Sequence, residues 1–252
     1  MLVKTSNKKP DVIIPVYSVG RSGSTWFQKL LASHPTILSG GEIMNSVLYE
    51  DKENIVTSII NAIEQMKVPD YELHFHRNSK INYCFSYHLD QRLHEIDNYL
   101  WEKSSKFIIF TRNPLDIYIS VNLVIQSKEE RCYEEENQHF RYPYKNERLT
   151  INPDHMLHFI RRYFFQMSLL KDWMNSRRIN FMQISYEDLV DNTESICNDI
   201  LDFLGLESHS LVAAISKQRT KTQQEIVTNY KAIASFIKKN AKDLTFLLNQ
   251  RI

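Results

Sequence analysis

Glycine is scarce in this chain, and nearly all of it lies in one place. Five of 252 residues are glycine, against an average usage of about 7%. Four of the five (Gly20, Gly23, Gly40, Gly41) fall between positions 20 and 41. Where glycine is this rare, a cluster marks backbone that needs unusual dihedrals or close approach to something. The first pair follows Val12-Ile-Ile-Pro-Val-Tyr-Ser-Val19, a run apolar enough for a central strand. It precedes Ser24–Ala32, where Trp26, Phe27, Leu30 and Leu31 recur at helical spacing until His34-Pro35 ends the helix. Strand, tight turn and helix in that order open an α/β unit. Pro15 cannot donate to a ladder, so either a local irregularity or a strand that effectively starts at Pro15 is expected.

The pattern repeats downstream. Ile81–Tyr87 and Ile179–Ser185 read as strands, and Lys106-Phe-Ile-Ile-Phe-Thr111 is the clearest, apolar on consecutive positions as strands buried on both faces are. Pro114 suits an early position in a helix running to about Gln126. Asp154 is the expected cap of a helix to about Ser176, with Met156, Ile160, Tyr163, Met167, Leu170 and Met174 on one stripe. Asn192 or Thr193 is expected to cap another, with Ile196, Ile200, Phe203 and Leu204 facing inward and Gly205 as its left-handed stop. The tail from Gln223 reads as mostly helical. Alternating strands and helices predict a three-layer α/β/α fold around a mainly parallel sheet. No repeat or linker interrupts it, so one domain, 1–252, is expected. Lys128–Pro153, long and aperiodic, reads as a functional or mobile loop insertion.

Composition narrows the function. Thirty-one Lys+Arg against thirty Asp+Glu leave a net charge of +1, which argues against a broadly basic nucleic-acid binder. Cys84, Cys132 and Cys197 are scattered and odd in number, the pattern of reduced thiols and neither a disulfide framework nor a zinc site. No apolar run is long enough for a membrane span, and Val12–Val19 with its proline is a strand and not a signal-peptide core. A cytoplasmic protein is expected.

Ser18-Val-Gly-Arg-Ser-Gly-Ser-Thr-Trp26 carries chemistry. A turn between strand and helix aims backbone N–H groups, a helix N-terminus and Ser/Thr hydroxyls at one spot, which attracts phosphate or sulfate. Arg21 adds a fixed cation and a bidentate donor. The spacing is not that of a Walker A loop and no Lys precedes Ser24-Thr25. Nor does an Asp end the Lys106–Thr111 strand to hold Mg²⁺. A nucleotide hydrolase is disfavoured on both counts; a purely structural turn remains the alternative. In Phe107-Ile-Ile-Phe-Thr-Arg-Asn-Pro-Leu-Asp-Ile-Tyr-Ile-Ser120, Arg112 ends a strand, where ligands bind open α/β sheets. Ser120 follows about two turns into the next helix, so the two residues are candidates for gripping one phosphate; a solvated Arg is the alternative.

Together these stretches resemble the sulfotransferase superfamily, especially its bacterial and carbohydrate-type members. The first is similar to the family's 5′-phosphosulfate loop. The second is similar to its 3′-phosphate motif, Arg-Asn-Pro-x-Asp with a serine eight positions after the arginine. Ile184-Ser-Tyr-Glu-Asp-Leu189 is similar to its Tyr-Glu-Asp-Leu element. The resemblance spans roughly residues 12 to 206. It implies a P-loop-NTPase-like topology and 3′-phosphoadenosine 5′-phosphosulfate (PAPS) as donor, with adenosine 3′,5′-bisphosphate (PAP) as product. By position it implies Arg21, Ser22, Gly23, Ser24 and Thr25 around the 5′-phosphosulfate, and Arg112 and Ser120 on the 3′-phosphate. Trp26 would stack on adenine and Tyr186 would contact the nucleoside, although both also read as core aromatics. A basic segment near the C-terminus closes the family's donor site; Lys217-Gln-Arg-Thr-Lys221 is the candidate here, through Lys217 or Lys221.

Transfer needs an acceptor oxygen in line with sulfur and a base for its proton. Glu42, just after Gly40-Gly41, is the first candidate, as similar family members place a glutamate shortly after a helix ending in His-Pro. A glutamate at a helix N-terminus would be its structural role. His88 is the rival, as phenol and steroid sulfotransferases use a histidine base before the 3′-phosphate motif. Arg21, almost never deprotonated, would stabilise charge electrostatically where phenol-type enzymes have Lys. His74 and His76 lack an identifiable third ligand, so no metal is predicted. The acceptor reads as a small molecule or glycan hydroxyl, with a carbohydrate, glycolipid or other alcohol favoured over a phenol. A non-catalytic anion or nucleotide-binding module and an atypical small nucleotide kinase are the competing classes.

Overall fold

The first long apolar run does form a strand, and it becomes the centre of the sheet. The computed structural model describes residues 2–3, 10–43, 54–66, 68–69, 82–103, 106–129, 148–212 and 221–248. In chain order these form β1 (Leu2–Val3), β2 (Val12–Ser18), α1 (Ser24–Leu31), β3 (Ile37–Glu42), α2 (Ile55–Glu64), β4 (Val68–Pro69), β5 (Asn82–His88) and α3 (His94–Lys103). There follow β6 (Phe107–Thr111), α4 (Pro114–Glu129), α5 (Pro153–Ser176), β7 (Phe181–Ser185), α6 (Tyr186–Asp191) and α7 (Thr193–Leu204). The last are α8 (Gln223–Ile226), α9 (Tyr230–Asn240) and a 3₁₀ segment, Lys242–Leu248. The helical tail from Gln223 is as expected.

Residues divide into two compact units: Met1–Thr111 with Leu169–Ala214, and Arg112–Ser168 with Ile215–Ile252. The first unit contains a five-stranded sheet of order β3-β5-β2-β6-β7, parallel throughout. Side chains alternate across it. Ile14 and Val16 of β2, Cys84 of β5 and Ile108 and Phe110 of β6 join one buried cluster with α1 and α7. Tyr17, Tyr87 and Phe107 face the other way, where Asp97 of α3 and Trp173 of α5 meet them. Helices thus cover both faces, which is why these strands read as continuous apolar runs.

Pro15 departs from its expected effect. β2 pairs with β5 without a break from Val12↔Asn82 to Ser18↔His88, Pro15 lying opposite Phe85. The cost shows on the other edge, where pairing with β6 starts only at Val16↔Ile108. The proline trims one ladder and spares the other.

In the second unit, α4, α5, α9 and the 3₁₀ segment share a core that includes Leu115, Ile119, Ile160, Ile233, Ile237 and Leu247. The predicted α5 stripe is buried throughout, from Met156 to Met174. Its cap is not Asp154. Asn152 Oδ1 accepts from the backbone N–H groups of Asp154 and His155 at 3.0 and 3.1 Å, and Pro153 takes the first helical position, which needs no N–H. For α7, Asn192 holds the cap position without a side-chain bond, and Gly205 ends the helix at φ 70°. α4 runs to Glu129, three residues past its expected end. Most of the predicted 128–153 insertion, residues 130–147, lies outside the described residues, as do His74 and His76. No helix among the described residues is long and apolar enough to cross a membrane.

Candidate active site

β2 delivers the chain to the loop that leads into α1, at the sheet's C-terminal edge. Ser22 N–H donates to Val19 O at 3.1 Å to close the turn. Arg21 takes a left-handed φ of 68°, sparsely populated for a residue with a Cβ. Gly23 has φ 95°, and a Cβ there would lie 2.9 Å from Tyr186 Cδ2. Only glycine meets both demands, which answers the expectation drawn from the glycine cluster. α1 opens at Gly23 with no side-chain cap, so its first-turn N–H groups lack a capping side chain. Ser18 Oγ and Ser22 Oγ are buried, and neither has a hydrogen-bond partner among the described residues. Buried hydroxyls without partners are uncommon. An anion with several acceptor oxygens, such as a phosphosulfate, fits this donor set.

Trp26 and Tyr186 converge on the same loop. Tyr186, at the start of α6, packs on Gly23, and its ring meets Trp26 edge-on with centroids 5.7 Å apart. Ser185 holds that start, its Oγ accepting from Asp188 N–H at 3.0 Å. Both aromatics are partly buried at the rim of the α1-side core. That rim position leaves ring surface for a ligand, which a wholly buried side chain would lack.

Glu42 and His88 end adjacent strands. Glu42 ends β3 directly before Ile43, which is helical, so the helix-N-terminal setting expected for its structural role is present; β3 itself carries no clear signal in the sequence. His88 ends β5. Its imidazole packs against the loop, 3.9 Å from where a Cβ on Gly20 would lie. His88 Nε2 is 3.7 Å from Glu42 Oε1, beyond hydrogen-bond reach. The two rival bases are therefore neighbours. Their exposure separates them: the Glu42 side chain is 32% exposed and that of His88 only 7%.

In the second unit, Arg112 follows β6 directly and is half-buried. Asn113 caps α4, its Oδ1 accepting from Leu115 N–H at 2.9 Å while its Nδ2 donates to Leu247 O at 3.1 Å. Ser120 lies half-buried on α4. Asp116, also of this motif, is buried and accepts from Gln223 Nε2 at 3.2 Å. Lys221 is exposed, one residue before the Thr222–Glu225 capping box that starts α8. Lys217 lies outside the described residues.

Sequence reasoning missed a buried polar cluster beneath Glu42, made of Gln28, Ser39 and Ser86. Its one signal was Gln28 itself, a polar residue on the stripe of α1 that also carries Ser24, Phe27 and Leu31.

Comparisons with known proteins bear on the family and on the fold. A family model described as "Sulfotransferase domain" matches residues 9–244. A sulfotransferase from Alicyclobacillus acidocaldarius is 11% identical over 97% of each chain, with a TM-score of 0.50. The sulfotransferase domain of a Synechococcus olefin synthase is 17% identical over 100% of this chain and 99% of its own, with a TM-score of 0.47. Mouse sulfotransferase SULT7A1, solved with PAP, is 14% identical over 94% of this chain and 70% of its own, with a TM-score of 0.43. None of the curated proteins compared matches the chain. At such identities the structural likeness speaks for the fold alone, whereas the family match covers nearly the whole chain: this protein belongs to the sulfotransferase domain family.

Proposed function

We propose that this sulfotransferase takes its sulfuryl group from PAPS and passes it to an acceptor hydroxyl by in-line attack, with Glu42 as the base. The observation that carries the reading is the placement of Glu42 and His88, 3.7 Å apart, with His88 against Gly20 of the loop that fits a phosphosulfate. The acceptor oxygen bonds to sulfur as the bond from sulfur to the bridging oxygen of the 5′-phosphate breaks. The acceptor proton passes to the Glu42 carboxylate, and PAP leaves. Glu42 is the more exposed of the two candidate bases and so the one an acceptor reaches first. His88 is its less exposed neighbour, 3.7 Å away, and forms part of the surface on which the carboxylate sits.

Arg21, with Ser22, Gly23, Ser24 and Thr25, holds the 5′-phosphosulfate and stabilises charge that grows on its oxygens. Trp26 and Tyr186 flank the nucleoside. Arg112 and Ser120 bind the 3′-phosphate, with a cation from Lys217 or Lys221 alongside. This chemistry calls for no metal. The acceptor is a small-molecule or glycan hydroxyl, with an alcohol such as a carbohydrate or glycolipid preferred, and the setting is cytoplasmic. We read 1–252 as one sulfotransferase-like domain, with 128–153 as its acceptor-side insertion.

Calorimetric titration with PAP tests the donor assignment, with ADP as the control lacking a 3′-phosphate, each with and without Mg²⁺. Metal-independent binding that needs the 3′-phosphate and weakens in Arg112→Ala is the expected result. Preference for ADP with Mg²⁺ would overturn the reading in favour of a nucleotide kinase. Binding of PAP without turnover of PAPS towards any alcohol would leave a binding module.

A further inference from the structure

The end of β3 carries one residue more than its partner strand answers. Ser39 pairs with Cys84, and the next pair is Glu42 with Ser86: three steps on β3 against two on β5. Side chains alternate along a strand, so one extra residue reverses the face of everything after it. In unbroken register Gly41 would stand opposite Ser86. Glu42 would then stand opposite Tyr87, whose ring lies on the sheet face of Tyr17. With the bulge, Glu42 shares the face of Ser86 and His88, the face that α1 covers. Its carboxylate meets His88 because of that single inserted residue.

One side chain holds the bulge. Gln28, in the middle of α1 and 1% exposed, donates from Nε2 to Gly41 O at 3.2 Å and to Ser86 Oγ. Its Oε1 accepts from Ser39 Oγ at 2.9 Å, and Ser39 Oγ in turn accepts from Gly41 N–H at 3.3 Å. Gly41 takes φ 65° between them. Both sides of the bulge and the neighbouring strand are thus tied to a single amide. That amide belongs to the helix whose N-terminus completes the anion loop.

We propose that Gln28 is a positioning residue for sulfuryl transfer. It locks the β3 bulge so that Glu42 is held on the loop's face of the sheet, and it fixes the base and the anion loop in one frame. The assignment rests on the reading of Glu42 as base. A side chain that merely filled the core would affect stability and leave the placement of Glu42 unchanged.

The test compares Gln28→Met, of similar length but without the amide, with Ser39→Ala, which removes one arm of the network. Gln28→Met is also made in a Glu42→Ala background. Three quantities are measured: affinity for PAP, the rate of PAP release from PAPS with water as acceptor, and the backbone amide spectrum. With water as acceptor, its oxygen bonds to sulfur as the bond from sulfur to the bridging oxygen of the 5′-phosphate breaks; sulfate forms, PAP leaves and a water proton passes to Glu42. Misplacing a reacting group by about 1 Å costs on the order of 100-fold in rate, and a loss of about that size is expected in Gln28→Met, smaller in Ser39→Ala. PAP affinity stays within about twofold, adding Gln28→Met to Glu42→Ala costs nothing further, and amide shifts concentrate at residues 39–42 and 86–88. An equal loss in the wild-type and Glu42→Ala backgrounds, or amide shifts that spare Glu42, would overturn the proposal. The amide spectrum decides where transfer to water is too slow to follow, and Ser39→Ala decides where Gln28→Met does not fold. Full turnover in Glu42→Ala alone would instead remove Glu42 from the mechanism, a separate result from any outcome at Gln28.

Discussion

His88 Nε2 lies 3.7 Å from Glu42 Oε1, across the ends of two neighbouring parallel strands. Each residue reaches that point differently: His88 by continuing β5 in register with Ser18, Glu42 by way of a one-residue bulge. A carboxylate and an imidazole this close lie in each other's field, so replacing either changes the other's surroundings.

The pair therefore yields unequal losses. Glu42→Ala is expected to lower the rate of sulfuryl transfer by about 100-fold or more, the usual range for a general base, with PAP affinity within about twofold of wild type. His88→Asn is expected to cost less, since the base remains but its neighbour is gone. Single-turnover rates on both variants, with PAP titrations beside them, check this. A larger loss in His88→Asn than in Glu42→Ala would exchange their roles.

How much of this was legible beforehand follows from where the signals lie. The loop could be read because an apolar run, a glycine-bearing turn and a helical stripe are each local features of the chain. β3 could not. Ile37-Leu-Ser-Gly-Gly-Glu42 has two glycines and little alternation, and it is a strand because β5 and Gln28 give its backbone partners. Asn152 was passed over for Asp154, although Pro153 between them is the better guide to a helix start. The bulge that turns Glu42 to the loop's face depends on pairing between residues more than forty positions apart, which no local pattern encodes.

Gly23 makes the loop testable apart from the chemistry. Gly23→Ala would place a Cβ 2.9 Å from Tyr186 Cδ2 at a φ of 95°, a backbone strain of about 1–3 kcal/mol added to the clash. Loss of PAP affinity of about tenfold or more is expected, with partial recovery in Gly23→Ala/Tyr186→Ala, which relieves the contact but not the φ. Calorimetry with PAP on the single and double variants measures it. Unchanged affinity in Gly23→Ala would show that the loop does not hold the ligand in this conformation.

On the opposite face of the sheet, Asp97 anchors a buried cluster. It accepts from Tyr17 Oη at 3.0 Å and from Arg92 Nε at 3.0 Å, and the Arg92 guanidinium lies over Trp173, 5.4 Å from the ring centroid. Burial, reinforced by Asp97, pushes the Tyr17 hydroxyl well above its usual pKa. Tyr17→Phe removes one bond and is expected to cost about 1 kcal/mol. Asp97→Ala strands a guanidinium and a hydroxyl and is expected to cost about 3–5 kcal/mol. Urea unfolding of both variants gives the comparison; equal losses would mean that the cluster is not coupled through Asp97.

His34 gives the fold a pH dependence of definite sign. It is buried where α1 ends, and burial is the main cause that holds its pKa below 6.5, with His209 adding to the effect and Glu207 opposing it. Its partners fix the neutral tautomer: Thr36 N–H donates to Nδ1 at 3.2 Å, and Nε2 faces Glu207 O at 3.3 Å. Protonation at Nδ1 would break the first of these bonds. The unfolded chain takes up the proton more readily than the folded one, so the stability due to neutral His34 is complete above about pH 6.5 and declines as pH falls below it. His34→Asn keeps an acceptor for Thr36 N–H and has nothing to titrate. Its stability at pH 7.5 is expected to be lower than wild type, and the gap is expected to narrow by pH 5.5. Urea midpoints at both pH values decide it, since parallel losses in the two proteins would assign the acid sensitivity to His209 or to carboxylates elsewhere.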